Sequence, residues 1–159
     1  NANGEPARFA DFGLPVVADV VAGFAGPLAG ILTGMEWAQR QAPNCRWLAS
    51  FAGDAPFVPR DLVTRLLTAM EGESADLARA SSAGQAHPVF GLWRVDLASD
   101  LRHALVDEQI HKVDRWTARH KLVEVAFEAM PYDPFFNANR PDDIAEAERL
   151  LADQAALRQ

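Results

Sequence analysis

Two aspartates stand where a carboxylate could handle a charged ligand. Asp54 closes the apolar run Trp47-Leu-Ala-Ser-Phe-Ala-Gly-Asp54 and precedes Ala55-Pro-Phe57, with nothing obvious beside it in sequence to neutralise it. A carboxylate emerging from the end of a buried strand suits magnesium, which prefers oxygen ligands and bridges one or two carboxylates to phosphates. Capping the following turn suits it equally well. Asp19 ends Leu14-Pro-Val-Val-Ala-Asp19 in the same way. Its two oxygens match the adjacent N1–H and amine donors of guanine, although an Asp in a surface turn is the commoner use of such a position. Gly26-Pro-Leu-Ala-Gly30 places the backbone of Gly26, Pro27 and Leu28 at a helix start, where amides can meet a ribose or phosphate. It is not a Walker loop, because no Gly-Lys-Ser/Thr follows. Asn137-Ala-Asn139 puts two side chains on one side of an extended segment, fit either to cap the next helix or to hold a ligand.

The remaining reactive side chains fit quieter roles. His87 precedes Pro88, and a lone histidine packs more often than it catalyses. His103, His111 and His120 have no metal-ligand spacing and are expected on helix surfaces. Cys45 is the sole cysteine, which excludes an internal disulfide and any two-cysteine metal motif. No convincing Ser–His or Cys–His arrangement is evident, so no covalent nucleophile is expected. The tryptophans Trp37, Trp47, Trp93 and Trp116 lie in amphipathic or apolar segments and suit core packing.

The elements that must position these residues alternate. Leu14–Asp19 and Trp47–Asp54 are predicted as buried strands, each followed by a helix opened by a proline, Pro27 or Pro59. The first helix should run to about Gln41 with Leu28, Ile31, Leu32, Met35 and Trp37 or Ala38 inward. The second repeats Leu62, Val63, Leu66, Leu67 and Met70. Further strands are expected over Ala75–Ala80, Pro88–Val95 and Lys121–Phe127, with a turn at Ser81–Gly84 and two short helices over 97–106 and 111–119. Phe135–Asn139 suits a last short strand, and Pro141 opens a terminal helix. Such alternation predicts an α/β domain, a mostly parallel sheet with helices on both faces. Ligands bind beyond the carboxyl ends of strands in such sheets, so Asn1/Asn3, Asp19 and Asp54 should share one rim.

With 159 residues, 49% of them apolar, the chain suits one domain with a sizeable core. A formal charge of -7 argues against a broad nucleic-acid footprint while leaving room for a single nucleotide. The apolar runs break well short of the roughly 20 residues a membrane span needs, and no charged-then-apolar leader opens the chain. A reducing, cytoplasmic setting is expected. The opening Asn1-Ala-Asn-Gly4 has the look of a strand end entering a turn, so further residues are expected upstream.

Taken in order, Asn1-Ala-Asn3, Leu14–Asp19, Gly26-Pro-Leu-Ala-Gly30, Gly53-Asp54-Ala-Pro-Phe57, His87-Pro88 and Phe135-Phe-Asn-Ala-Asn139-Arg-Pro-Asp-Asp143 resemble the successive blocks of molybdenum cofactor guanylyltransferases. The resemblance covers nearly the whole chain. No single block is specific; the Gly26–Gly30 block with the Asn137–Asn139 block is the most discriminating pair. The resemblance implies a single Rossmann-like, three-layer α/β/α nucleotidyltransferase domain over 1–159, related to sugar-nucleotide transferases. It implies magnesium-dependent transfer of GMP from GTP to the terminal phosphate of molybdopterin, with release of pyrophosphate. By the same resemblance Asn1 and Asp19 contact the guanine nucleotide, and Asp54 touches both nucleotide and Mg2+. Asn137 and Asn139 belong to the catalytic cleft, and His87 to the molybdopterin side. Implied partners are GTP, the molybdopterin cofactor, and proteins that transfer molybdopterin or chaperone molybdoenzymes, with neither nucleic acid nor membrane. The family pattern also has a Leu-Ala-Gly-Gly loop followed by Arg, Met-Gly and Lys. These bind the triphosphate, are absent from this sequence, and would fall in a strand–loop–helix–strand unit upstream of Asn1. As written, the chain is therefore expected not to be fully active. Two alternatives stand beside this reading: a cytidylyl- or sugar-phosphate nucleotidyltransferase, separated by base preference, and a non-catalytic cofactor-binding domain on the same fold.

Overall fold

Helix α1 (Pro27–Gln41) buries Leu28, Ile31, Leu32, Met35 and Ala38, the apolar stripe its sequence spacing predicts, and leaves Trp37 half-buried. Pro27 opens it, since a proline at the first helical position loses no hydrogen bond. The computed structural model from which these features are drawn describes residues 1–23 and 26–156. Helix α2 (Leu62–Glu73) likewise buries Leu62, Leu66 and Met70, whereas Val63 is exposed.

Strands β1 (Trp47–Ser50), β2 (Leu77–Ser82), β3 (Gln85–Arg94) and β4 (Leu122–Phe127) form one sheet in the order β1-β3-β2-β4. Three strands share a direction, while β3 runs against β1 and β2; β2 and β4 pair in parallel. The sheet, expected to be mostly parallel, is thus mixed: among the described residues one of its three pairings is parallel. The cause is local: Ser82 pairs with Gln85 across the two-residue turn Ala83-Gly84, and both turn residues have positive φ, as a tight hairpin requires. The β2–β3 register shifts between Arg79 and Ala80, which pair with Gly91 and His87. Pro88, which has no N–H to give a ladder, falls in that irregular step.

Helices α1, α3 (Ala98–Val106) and α4 (Val113–Thr117) close one face of the sheet around Trp93, Trp116, Leu77 and Leu101. Helix α2 covers the other, above Ala78, Ala80, Leu92, Val123 and Phe127. This is the expected α/β/α layering. Gly34 lets α1 lie close on the sheet, because a Cβ there would stand 2.9 Å from Leu48 Cδ2. Helix α5 (Pro141–Ala156) ends the described chain and buries Ala147. Among the described residues no helix is long and apolar enough to cross a membrane.

Two predicted strands do not form. Leu14–Asp19 is irregular, because the described residues offer it a single backbone bond, Ala2 N–H to Val17 O at 3.0 Å, and no ladder. Pro6–Phe12, before it, coils into an unpredicted 3-10 helix. Phe135–Asn139 is a loop, since Phe136 N–H turns back to Asp133 O at 3.1 Å.

Candidate functional site

Asn1, Asn3 and Asp19 meet although the chain between them is irregular. Asn3 Nδ2 donates to Asp19 Oδ2 at 2.7 Å, and Asp19 N–H donates to Asn3 Oδ1 at 2.9 Å. The Asn1 amide donates to the other carboxylate oxygen of Asp19. Gly30 permits this approach: a Cβ there would lie 2.7 Å from Asn1 Oδ1. The cluster borders an open cleft of about 480 Å³, whose other walls include Gly26, Pro27 and the carboxyl end of β1 at Ser50 and Phe51. First-turn amides of a helix lack intrahelical partners, so the start of α1 offers donors beside the Asp19 carboxylate. Leu28 lies in this turn but is 1% exposed, packed in the core, and does not line the cleft. The cleft therefore joins a carboxylate that accepts donors to amides suited to oxygen or phosphate.

Asp54 lies in the loop that leaves β1, half-buried, and its carboxylate has neither a hydrogen bond nor an ion pair among the described residues. Its backbone oxygen accepts from Ala138 N–H at 2.8 Å, which brings the Asn137–Asn139 segment to the Asp54 loop. Asn137 and Asn139 are exposed. The helix they precede is capped by another residue: Asp143 accepts from Asn139 N–H at 3.0 Å and Arg140 N–H at 2.9 Å. The two Asn side chains are thereby left for other uses. No group of three or more His, Cys, Asp or Glu that could enclose a metal occurs among the described residues. A single unpaired carboxylate still fits magnesium, which keeps waters and takes substrate phosphate oxygens as ligands. Asp54, Asn137, Asn139 and His87 are not among the residues lining the Asp19 cleft.

His87 is not a solitary histidine. Its Nε2 lies 2.6 Å from Ser82 Oγ, and Ser82 Oγ donates to Asp133 Oδ1 at 2.8 Å. Its ring packs on Phe135, with centroids 4.5 Å apart. Burial holds its pKa below the ordinary value, against the opposing pull of the Asp133 and Glu124 carboxylates. The expected absence of any Ser–His pairing is thus corrected. Ser82 and Asp133, 51 residues apart, carry no local signal beyond an Asp-Pro turn start. The grouping is nevertheless no nucleophilic site, because the Ser82 proton is committed to Asp133 and the hydroxyl is buried. Of the other histidines, His103 is exposed on α3, and His111 is exposed ahead of α4. His120 is half-buried against the Trp116 ring, with Nε2 3.1 Å from Asp100, rather than on a helix surface.

A family model described as the MobA-like NTP transferase domain matches residues 1–124. Over 152 residues the chain is 59% identical to the molybdenum cofactor guanylyltransferase of Bradyrhizobium sp. (strain ORS 278), covering 96% of this chain and 72% of that one. This chain belongs to the molybdenum cofactor guanylyltransferase family. A second member of the family, from Rhodopseudomonas palustris (strain BisB5), is 55% identical over 150 residues, or 94% of this chain and 71% of that one. The fold agrees with a solved structure, molybdopterin-guanine dinucleotide biosynthesis protein A from Archaeoglobus fulgidus. Its TM-score is 0.67 at 21% identity, covering 92% of this chain and 73% of that chain. Membership makes the chain a nucleotidyltransferase and gives the cleft beside α1 a class of ligand to be tested.

Proposed function

We propose that this protein transfers GMP from GTP to the terminal phosphate of molybdopterin, forming the guanine dinucleotide cofactor and releasing pyrophosphate. The observation that carries the reading is the polar rim at Asp19. A carboxylate whose two oxygens are oriented by Asn1 and Asn3 faces a cleft beside a helix start, within a chain of this family. Each carboxylate oxygen keeps a further lone pair for the N1–H and amine of guanine. At the start of α1 the Gly26 N–H would meet the ribose or phosphates, with Pro27, which has no N–H, shaping the wall and the Leu28 N–H behind it. Atoms balance simply: the acceptor phosphate oxygen attacks the α-phosphorus, the bond to the bridging oxygen breaks, and pyrophosphate carries away the charge.

Asp54 would hold magnesium, which when bound supplies charge neutralisation at the phosphates. Asn137 and Asn139, tied to the Asp54 loop through Ala138, would orient the phosphate groups by donating from their amides. Positioning and electrostatics supply the catalysis, with no covalent intermediate. A cytoplasmic setting, where GTP is available, goes with this reading.

The test is pyrophosphate release by the protein carrying the upstream triphosphate-binding unit of the family pattern, with magnesium and molybdopterin, GTP and CTP being compared in parallel. Release with GTP and not CTP is expected; preference for CTP would move the protein to a sister activity. Asp54→Asn should abolish transfer, on the order of a hundredfold or more, as loss of a transition-state charge contact does. Near-normal turnover in that variant would overturn its assignment.

A further inference from the structure

The segment from Asp133 to Arg140 contains no helix or strand, so its own backbone ladder cannot hold Asn137 and Asn139 in place. It is held instead by its ends and by one buried ring. Asp133 Oδ1 accepts both from Ser82 Oγ at 2.8 Å and from Phe135 N–H at 2.9 Å. Phe135, 3% exposed, fits among His87, Phe90 and Phe127, with ring centroids 4.5, 4.8 and 5.4 Å away. Ala138 N–H then ties the segment to Asp54 O. Ser82 is the last residue of β2, next to a tight turn and paired with both Gln85 and Phe127, so its hydroxyl sits on a rigid point of the sheet.

The polar chain has one direction. The Asp133 carboxylate only accepts, so the Ser82 proton points to it. The Ser82 oxygen then accepts from His87, which requires a proton on Nε2. Ser82 is only 2% exposed, and a buried hydroxyl costs stability unless satisfied; here it is satisfied twice over. Such a network confers a fixed geometry that an alanine, as at Ala78 and Ala80 on the same sheet face, would not.

We propose that Ser82, His87 and Asp133 are positioning residues, a hydrogen-bonded chain that locks the Phe135–Asn139 segment to the sheet and so sets where the Asn137 and Asn139 amides stand relative to Asp54. Its functional side rests on the reading that this Asn pair serves the transfer. The coupling itself is measured without activity, by amide hydrogen exchange in the full chain. Ser82→Ala and Asp133→Ala should speed exchange of residues 135–139 roughly tenfold, the size of one lost buried hydrogen bond, while α1 is unchanged. Asp133→Asn keeps an oxygen acceptor for both Ser82 and Phe135 N–H, and should restore protection to within about threefold of wild type. His87→Phe, which keeps a ring on Phe135 and removes the Nε2 donor, should give a smaller rise in the same direction.

In the transfer assay, the two alanine variants should lower kcat by about tenfold or more. KM for GTP should stay within about threefold, because the Asp19 rim is untouched, and Asp133→Asn should recover most of kcat. Unchanged exchange in folded Ser82→Ala and Asp133→Ala overturns the proposal. So does an Asp133→Asn variant as impaired as Asp133→Ala, since charge rather than hydrogen bonding would then be the cause. Faster exchange with unchanged kcat keeps the lock and overturns instead the placing of the Asn pair in the reaction. Should Ser82→Ala fail to fold, the two Asp133 variants carry the test.

Discussion

The two faces of the sheet are closed by different means. On one, the helices α1, α3 and α4 supply most of the cover over Trp93, Trp116, Leu77 and Leu101, with Val21 and Ile110 added from the connecting segments. On the other, α2 covers only part of the sheet, and the ring of Phe135 is inserted from a loop. The first face carries α1, whose start lines the Asp19 cleft, but its deep core at Trp116 and Leu101 lies away from the cleft and can be read as stability alone. The second also carries the segment that leads to Asn137 and Asn139, so under the proposed function its packing and its chemistry would be coupled. The difference teaches where a core substitution should reach function.

The largest effects test that contrast directly. Trp116→Ala and Phe135→Ala should each destabilise the fold by about 3–5 kcal/mol, the usual cost of emptying an aromatic core position. Measured below its unfolding transition, Trp116→Ala should keep its KM for GTP and most of its turnover, since Trp116 is buried away from the cleft. Phe135→Ala should lose turnover as well, because the loop loses its anchor. Denaturation midpoints and single-temperature kinetics separate the two outcomes. Equal turnover losses in both variants would break the distinction between the faces.

A smaller effect is expected at the rim. Gly30→Ala places a methyl 2.7 Å from Asn1 Oδ1, and because that contact is the end of a side chain, Asn1 can swing aside. Stability should change by less than about 1 kcal/mol, while Asp19 loses one of its two orienting amides. Weaker GTP binding, read by titration calorimetry with the denaturation midpoint held, is the expected result; unchanged affinity would remove Asn1 from the nucleotide site.

The helices of this molecule were legible in the sequence, and the loops that serve the site only in part. The bounds of α1, Pro27 and Gln41, follow from a proline start, an apolar stripe and the Pro43-Asn44 break. Asn1, Asn3 and Asp19 share the expected rim, although Leu14–Asp19 is not a strand, but Asp54, expected on the same rim, does not line that cleft. The short apolar run Leu14–Asp19, ending in a carboxylate, is what a buried strand looks like, but a strand needs a neighbour, and no local pattern states whether there is one. Ser82 and Asp133 were illegible for a similar reason. A serine at the end of a strand and an aspartate before a proline are ordinary turn residues until the fold sets them 2.8 Å apart. Asn137 and Asn139 were visible as a pair, but which residue caps α5 was settled by Asp143 reaching back to their segment.

The smallest effect sharpens the comparison by titration. Burial among the rings of the α2 face keeps His87 below its ordinary pKa of about 6.5, and the Asp133 and Glu124 carboxylates oppose that shift without cancelling it. The unfolded chain therefore binds a proton more readily than the folded one, and stability contributed by neutral His87 is lost as pH falls below about 6.5. Protonation would also force a charge against Phe135, so the α2 face should loosen first. His87→Phe removes the titrating group while keeping a ring there. Denaturation midpoints measured from pH 7.5 to 5.5 should fall more steeply for the wild type than for the variant. Exchange of residues 135–139 should accelerate with falling pH, after correction for intrinsic rates, only when His87 is present. Parallel slopes for the two proteins would mean that the histidine ring is packing alone, and that its hydrogen bond to Ser82 does not report on the loop.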